Sequence, residues 1–250
     1  MQFSNVIFFD IDGVIVKECG VAEFGYGFLI QLLSEPDFDL AARLEDLCVK
    51  PQYLKIAHET RNLVKGKHPV DKIKIFKQYL ESSVKSDDAW CVTQWYNAQR
   101  RYIQKNYPID KYIMPGIMSV FSAIQQLRSK YQIKVVAATA NEQWQATWLL
   151  QYAGVYSFFD DVLGYQLESL VDQPRSKVEM LANYLQPIQN IKSKIMIGDG
   201  IPDMKAGRMN DCVCLGIGTE ELKTAGADEL FGEEDYEKLA ASIQKVVEGK

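Results

Sequence analysis

Two acidic residues, Asp10 and Asp12, follow the apolar run Val6–Phe9 and precede Gly13. Continuous apolar runs are typical of buried strands in parallel sheets, and ligands of such sheets bind beyond the carboxyl ends of the strands. Two carboxylates at that edge suit Mg²⁺, which takes oxygen ligands and usually shares them with a substrate phosphate. Asp-Gly is also a common dipeptide in solvated turns, so this pattern alone leaves both interpretations open.

A second acidic pair follows the apolar run Ile195–Ile197. Asp199 stands at the end of that run, and Asp203 comes four residues later, directly after Pro202. Proline favours a helix start, so Asp203 is expected in a first helical turn, where an acid suits the macrodipole. That explanation does not cover Asp199. If the two strands are neighbours, the acids at their ends repel one another unless a cation binds, which predicts a metal site formed by Asp10, Asp12, Asp199 and Asp203.

A hydroxyl group ends a third apolar run. Thr139 follows Lys134–Ala138 and is itself followed by Ala140 and Asn141. A threonine hydroxyl at a strand end can donate to a phosphate oxygen without adding charge. Asn141 has a second interpretation, as the N-cap of the helix that follows.

A lysine stands at the start of a predicted helix. Ser176 and Glu179 have the spacing of a capping box, which places Lys177 in the first helical turn. A cation opposes the macrodipole there and is favourable only beside an anion such as a phosphoryl group. An exposed surface lysine is the alternative, and Arg175 competes for the same role.

Apolar runs and amphipathic segments alternate along most of the chain. The runs predicted to be strands are Val6–Phe9, Lys134–Ala138, Asp161–Gly164, Ile195–Ile197 and Cys212–Ile217. The segments predicted to be helices between them are Met118–Lys130, Asn141–Ala153 and Val178–Leu185. This alternation predicts an α/β fold with a doubly wound parallel sheet and right-handed crossovers.

Residues 19–108 interrupt the alternation with helical patterns punctuated by Pro36, Pro51 and Pro69. The predicted helices are Phe28–Leu33, Leu40–Cys48, Ile56–Lys65, Ile73–Leu80 and Ala89–Lys105. We therefore expect an α/β core formed by residues 1–18 and 109–250, with a helical domain at 19–108 inserted after the first strand. The glycines of Cys19–Gly27 predict a hinge at the start of the insert.

The composition excludes several classes of partner. The chain has 250 residues and a formal net charge of -5, which does not favour binding to nucleic acid or to an anionic membrane surface. It contains no apolar run long enough to span a membrane, and its N-terminus lacks the basic region of a signal peptide. Five scattered cysteines indicate buried, reduced thiols and a cytoplasmic location. A monomer or a homodimer is expected.

Taken in chain order, the patterns Asp-x-Asp-Gly, Thr, Lys and Gly-Asp-x-x-x-Asp resemble the motifs of the haloacid dehalogenase (HAD) superfamily. The segments Tyr112–Gly116 and Leu222–Leu230 resemble stretches that accompany those motifs. The helical insert resembles a C1-type cap, as in phosphoglycolate-phosphatase-like and β-phosphoglucomutase-like members. The segment around Lys177 departs from the family pattern, because it lacks the usual Lys-Pro pair.

The resemblance implies a Rossmann-like core and a role for each motif. It implies that Asp10 is the nucleophile that forms an aspartyl-phosphate and that Asp12 is the general acid and then the general base. It implies that the phosphoryl group is bound by Thr139, Ala140, Asn141 and Lys177. It also implies that Mg²⁺ is held by Asp10, Asp199, Asp203 and the backbone carbonyl of Asp12.

The same resemblance implies a Mg²⁺-dependent phosphatase that acts on a small phosphorylated metabolite. Haloacid dehalogenases of this superfamily lack the second acid of the first motif, so Asp12 favours phosphate esters as substrates. A phosphomutase would use the same residues and is the alternative. A non-enzymatic phosphoacceptor switch also uses acids at strand ends, but a large helical insert and an acid at position 12 argue against it.

Overall fold

The computed structural model describes residues 4–35, 37–81, 87–166 and 176–250. The chain divides into two compact units, one formed by Met1–Lys17 with Ile113–Lys250 and the other by Glu18–Tyr112. The domain bounds expected from the sequence, 1–18 with 109–250 and 19–108, stay a prediction.

Among the described residues of the unit Glu18–Tyr112, all regular secondary structure is helical. Its helices are α1 (Val21–Ser34), α2 (Leu40–Asp46), α3 (Pro51–Val64), α4 (Pro69–Tyr79), α5 (Asp88–Asn106) and the short α6 (Ile109–Tyr112). Pro51 and Pro69 begin α3 and α4, because a proline at the first helical position loses no intrahelical hydrogen bond. Pro36 lies outside the described residues.

The predicted hinge at Cys19–Gly27 is wrong for most of its length. Only Cys19 and Gly20 precede α1 with positive φ values, of 45° and 69°, while Gly25 and Gly27 lie inside the helix. A Cβ atom at Gly25 would lie 2.4 Å from the indole nitrogen of Trp95. Gly25 and Gly27 therefore allow neighbouring helices to pack closely against α1, and they do not have unusual dihedral angles.

The other unit is built on a six-stranded sheet with the order β3-β2-β1-β4-β5-β6, in which every neighbouring pair is parallel. The strands are β1 (Asn5–Phe9), β2 (Ile133–Glu142), β3 (Asp161–Tyr165), β4 (Ser193–Gly198), β5 (Val213–Ile217) and β6 (Glu229–Phe231). The predicted doubly wound parallel sheet is confirmed. The sequence did not indicate β6, because three residues are too few to give a recognisable apolar run.

Helices follow the strands as a doubly wound sheet requires. They are α7 (Ile117–Arg128), α8 (Gln143–Tyr152), α9 (Lys177–Leu185), α10 (Ile201–Met209), α11 (Glu221–Ala225) and α12 (Tyr236–Glu248), with a 3₁₀ turn at Tyr156–Phe158. Side chains of β1 alternate between the two layers: Phe8 packs against Tyr184 of α9, and Phe9 packs against Phe121 of α7. The central strand is therefore buried on both faces.

The register of β1 against β2 and β4 determines where Asp10 and Asp12 lie relative to the sheet. Phe9, the last residue of β1, lies opposite Ala137 of β2 and opposite Ile197 of β4. The residues that follow these three positions therefore lie at the same edge of the sheet. In a sheet with this strand order, that edge beside β1 is the topological switch point, where ligands bind.

The cysteines are all free thiols, of which Cys91, Cys212 and Cys214 are buried. Burial raises the pKa of Cys212 to about 12 and that of Cys214 to about 11, so both remain protonated at neutral pH. The expectation of a buried thiol is wrong for Cys48, which is exposed. Among the helices of the described residues, none has the length and hydrophobicity needed to cross a membrane.

Candidate active site

Three carboxylates converge at the carboxyl ends of β1 and β4. Asp10, Asp199 and Asp203 each place an oxygen so that all three oxygens lie within 4.8 Å of one another. The backbone N–H of Asp10 donates to the carbonyl of Ile197 at 2.9 Å, which extends the β1–β4 pairing by one residue. The two acidic patterns, far apart in sequence, thus form one cluster at the edge of the sheet.

Two glycines allow these carboxylates to approach the backbone. Gly13 has a φ of +75°, and a Cβ atom there would lie 2.5 Å from Oδ2 of Asp199. A Cβ atom at Gly198 would lie 2.2 Å from the Cβ of Asp203. Gly13 therefore permits both the turn after β1 and the close approach of Asp199, and Gly198 makes room for Asp203.

Asp203 lies in the first turn of α10, as predicted, and Pro202 precedes it. One of its oxygens, Oδ2, accepts a hydrogen bond from the backbone N–H of Gly200 at 3.0 Å. Its other oxygen contacts Lys177. The side chain of Asp203 therefore both caps the helix and belongs to the acidic cluster, and the residue as a whole is 2% exposed.

Lys177 begins α9 and is buried beside the acids. The hydroxyl of Ser176 accepts from the backbone N–H of Glu179 at 3.3 Å, so the predicted N-cap is confirmed. The ammonium of Lys177 lies 3.0 Å from Oδ1 of Asp10 and also contacts Asp203. The exposed alternative is therefore wrong, since the side chain is only 4% exposed. Arg175, its competitor, lies outside the described residues.

The charged side chains of this cluster shift one another's pKa values. Burial and the neighbouring carboxylates, Asp203 first among them, raise the pKa of Asp10 well above its ordinary value, although Lys177 opposes this. Burial alone would lower the pKa of Lys177, but Asp10 and Asp203 outweigh it and hold that pKa above the usual range. The lysine therefore stays charged and offsets part of the repulsion between the acids.

The donor set of the cluster fits a hard divalent cation. Its ligand atoms are carboxylate oxygens, which Mg²⁺ and Ca²⁺ prefer to nitrogen or sulfur. Three carboxylates facing one ammonium carry an excess of negative charge, and a divalent cation would offset it. Of the four predicted metal ligands, Asp12 is the one whose side chain lies outside this group.

Thr139 and Asn141 lie on an irregular end of β2. The strand continues beyond Ala138 to Glu142, with a shift of register against β3 between those two residues. Thr139 is 2% exposed, and its hydroxyl accepts from the backbone N–H of Asn141 at 3.1 Å. Ala140 lies between them on the same segment and is half-buried.

The N-cap of α8 is Glu142 and not Asn141. The carboxylate of Glu142 accepts from the backbone N–H groups of Trp144 and Gln145, at 2.6 and 3.3 Å. The helix therefore starts at Gln143, two residues later than predicted. The physical reason is that β2 extends through Asn141, so its side chain is not needed at the helix end.

Asn141 instead reaches the first motif. Its side-chain Nδ2 donates to Oδ2 of Asp12 at 2.8 Å, across 129 residues of sequence. The charge of Asp12 also contributes to the raised pKa of Asp10. Apart from Arg175, the eight residues that the sequence assigned to the site all lie near the carboxyl ends of β1, β2 and β4 or on helix α9 beside them.

One residue at this edge was not anticipated. The hydroxyl of Tyr236, at the start of α12, donates to the backbone carbonyl of Val14 at 2.7 Å and so ties the turn after β1 to the C-terminal helix. Burial is the main cause of the raised pKa of Tyr236, and Glu233 and Asp199 add to it. No pattern around Tyr236 indicates this contact, because it depends on how α12 packs against the core.

A comparison with models of protein families identifies the family of this chain. The model of the haloacid dehalogenase-like hydrolases matches residues 5–211, which is most of the chain. The chain belongs to the haloacid dehalogenase-like hydrolase family, and it is an enzyme of the hydrolase class on that assignment. No curated protein matches the chain in sequence.

Solved structures share the fold over nearly their whole length. A protein described as a predicted phosphatase from Clostridium acetobutylicum is 21% identical, with a TM-score of 0.62 and coverage of 98% of this chain and 100% of that one. A β-phosphoglucomutase from Clostridium difficile is 16% identical, with a TM-score of 0.61 and coverage of 98% and 100%. A variant of CbbY from Rhodobacter sphaeroides, solved with xylulose-(1,5)-bisphosphate, is 14% identical, with a TM-score of 0.67 and coverage of 90% and 92%. At these identities the likeness shows the fold.

Proposed function

We propose that the protein is a Mg²⁺-dependent phosphatase that hydrolyses a small phosphorylated metabolite through an aspartyl-phosphate on Asp10. The observation that carries this proposal is the cluster in which Lys177 contacts Asp10 and Asp203 beside Asp199. Phosphoryl transfer depends on positioning and on offsetting negative charge, and this cluster combines a buried cation with oxygen ligands. The family membership and the descriptions of proteins with a similar fold support the same class of reaction.

In the first step, a carboxylate oxygen of Asp10 forms a bond to phosphorus while the bond from phosphorus to the ester oxygen breaks. Asp12 gives its proton to the departing oxygen, so the alcohol leaves in neutral form. Lys177 stays next to Asp10 and offsets negative charge as the two anions approach. Thr139 and Ala140 form the segment proposed to face the transferring oxygens.

In the second step, water attacks the phosphorus atom and breaks its bond to Asp10. Asp12, now ionised, takes the proton of that water, which returns it to its starting form. Inorganic phosphate leaves, and Asp10 is again a carboxylate. Splitting the hydrolysis in this way lets one pair of acids serve both halves of the reaction.

Asp10, Asp199, Asp203 and the backbone carbonyl of Asp12 would hold the metal ion. When bound, Mg²⁺ supplies positive charge that offsets the repulsion between the phosphoryl group and these carboxylates. The choice of Mg²⁺ over other hard cations is part of the proposal, as is a cytoplasmic location. The free thiols of the chain support that location.

A screen of phosphorylated metabolites tests the proposal. The purified protein is incubated with Mg²⁺ and each compound, and released inorganic phosphate is measured. We expect release from at least one ester, no release when EDTA replaces Mg²⁺, and loss of release in the variant Asp10→Asn. Intact-protein mass spectrometry after an acid quench should detect a phosphoryl group on the wild type and none on Asp10→Asn.

The matched control is Asp211→Asn, which neutralises an acid whose side chain is 93% exposed. It should release phosphate as the wild type does. Retained activity in Asp10→Asn would contradict the nucleophile assignment. Interconversion of phosphate isomers without net release would instead identify a phosphomutase, and stable phosphorylation of Asp10 without turnover would identify a phosphoacceptor switch.

A further inference from the structure

We infer that Asn141 is a positioning residue for Asp12, and that its side-chain amide orients the carboxyl group that passes a proton to the leaving oxygen. This inference rests on the proposed function. It assigns Asn141 a different role from the phosphoryl binding expected from the sequence.

The contact between these side chains has the geometry of a good hydrogen bond. Nδ2 of Asn141 donates to Oδ2 of Asp12 at 2.8 Å, and both groups are partly buried. Only the nitrogen side of the amide can donate to a carboxylate oxygen, so the chemistry also decides which way the amide faces. The bond restricts rotation of the Asp12 carboxyl group about its Cβ–Cγ bond.

Asn141 is itself held in place by the α/β unit. Its backbone N–H donates to the hydroxyl of Thr139 at 3.1 Å. On the β3 side, a Cβ atom at Gly164 would lie 2.9 Å from the carbonyl oxygen of Asn141, so the absence of a side chain at Gly164 lets the irregular end of β2 sit close to β3. The segment that carries Asn141 is therefore fixed by its own contacts, so the amide of Asn141 can impose an orientation on the carboxyl group of Asp12.

The consequence for catalysis depends on the leaving group. An alkoxide or a basic phenoxide leaves slowly unless it receives a proton, whereas a weakly basic phenoxide leaves without one. A misoriented Asp12 should therefore slow the first kind of ester and spare the second. Loss of a phosphoryl-binding group would slow both kinds equally, because every ester presents the same phosphoryl group.

The test compares kcat/KM for phenyl phosphate, 4-nitrophenyl phosphate and 2,4-dinitrophenyl phosphate, whose leaving groups become steadily less basic. The value of kcat/KM covers the steps up to departure of the phenol. For Asn141→Ala we expect a fall of about 10-fold or more with phenyl phosphate, a part of the roughly 10²–10⁴ that a general acid contributes, and a change below about 3-fold with 2,4-dinitrophenyl phosphate.

Two further variants show whether the effect passes through Asp12. In the background Asp12→Asn, adding Asn141→Ala should lower kcat/KM for phenyl phosphate no further, because the group to be oriented is gone. The control Gln143→Ala removes an amide from the same region, one that donates to the carbonyl of Val162 at 2.9 Å. It should leave the dependence on the leaving group unchanged.

The possible failures are distinguishable. An equal fall for all three esters in Asn141→Ala, or a further fall in the double variant, overturns the positioning role and leaves the phosphatase proposal standing. A wild type that releases phosphate from no ester overturns both. Thermal unfolding of each variant, recorded beside the kinetics, separates a local effect from loss of the fold.

Discussion

The variant Lys177→Met tests how the cluster of acids is held together. Methionine keeps much of the apolar stem but removes the ammonium that contacts Asp10 and Asp203. The side chains of Lys177 and Asp203 are 4% and 3% exposed, so the lost pair is a buried one. Removing one partner of a buried pair costs about 3–5 kcal/mol, because the remaining charge is uncompensated.

The lower end of that range applies here, because Asp10 is 14% exposed and a proton can bind to one of the remaining acids. In a chain of this size, a loss of about 3 kcal/mol lowers the unfolding temperature by about 6–12 °C. The assay is thermal unfolding, followed by circular dichroism, of protein freed of metal by EDTA. Addition of Mg²⁺ should then stabilise Lys177→Met more than the wild type. In the variant, the divalent cation takes over from the missing ammonium group and offsets the negative charge of the acids.

The matched control is Lys194→Met. Lys194 lies 3.5 Å from Asp211, whose side chain is 93% exposed, so this pair should contribute less than about 1 kcal/mol. The reasoning would be refuted if Lys177→Met and Lys194→Met unfolded at the same temperature without metal. It would also be refuted if Mg²⁺ stabilised Lys177→Met no more than it stabilises the wild type.

Gly198→Ala would place a Cβ atom 2.2 Å from the Cβ of Asp203. Asp203 must then move, and we expect kcat/KM to fall by about 10²-fold, since a displacement of about 1 Å has that effect on a positioned group. Burial alone would raise the pKa of Asp161, but hydrogen bonds from Lys134 and Tyr184 lower it. The resulting stabilisation is present above the unfolded-state pKa of about 3.9 and is lost as the pH falls through the lower folded-state value. The wild type should therefore exceed Asp161→Asn in stability at pH 7, and urea unfolding should show this difference vanish on acidification.

Gly207→Ala is the control for Gly198→Ala. Its Cβ atom would lie 2.5 Å from Sγ of Cys214, within the packing between α10 and the sheet. It should lower the unfolding temperature and leave kcat/KM largely unchanged. Equal kinetic losses in both variants would mean that the effect at Gly198 is general strain and not displacement of Asp203. For Asp161→Asn, a stability difference that persists at low pH would contradict the hydrogen-bond explanation.

The main elements of the α/β unit could be predicted because their signals are local. Val6–Phe9 and Ile195–Ile197 are continuous apolar runs, and the structure has β1 and β4 there. Ser176 caps α9 as its spacing with Glu179 indicated.

Local patterns failed where tertiary packing decided the outcome. The glycines of α1 serve close helix packing, and β2 continues through Asn141 because Gly164 of β3 leaves room for its irregular end.

By itself, the sequence determined which chemical groups stand at the ends of which strands, because apolar runs, turn residues and caps depend on neighbours only a few positions away. It therefore determined that Asp10, Thr139 and Asp199 share one edge of a parallel sheet. Only the tertiary structure decided how these groups are paired. The contact of Lys177 with Asp10 and the hydrogen bond from Asn141 to Asp12 join residues more than a hundred positions apart. Such contacts depend on the packing of α9 and on the register of β2 and β3, and no local pattern encodes either.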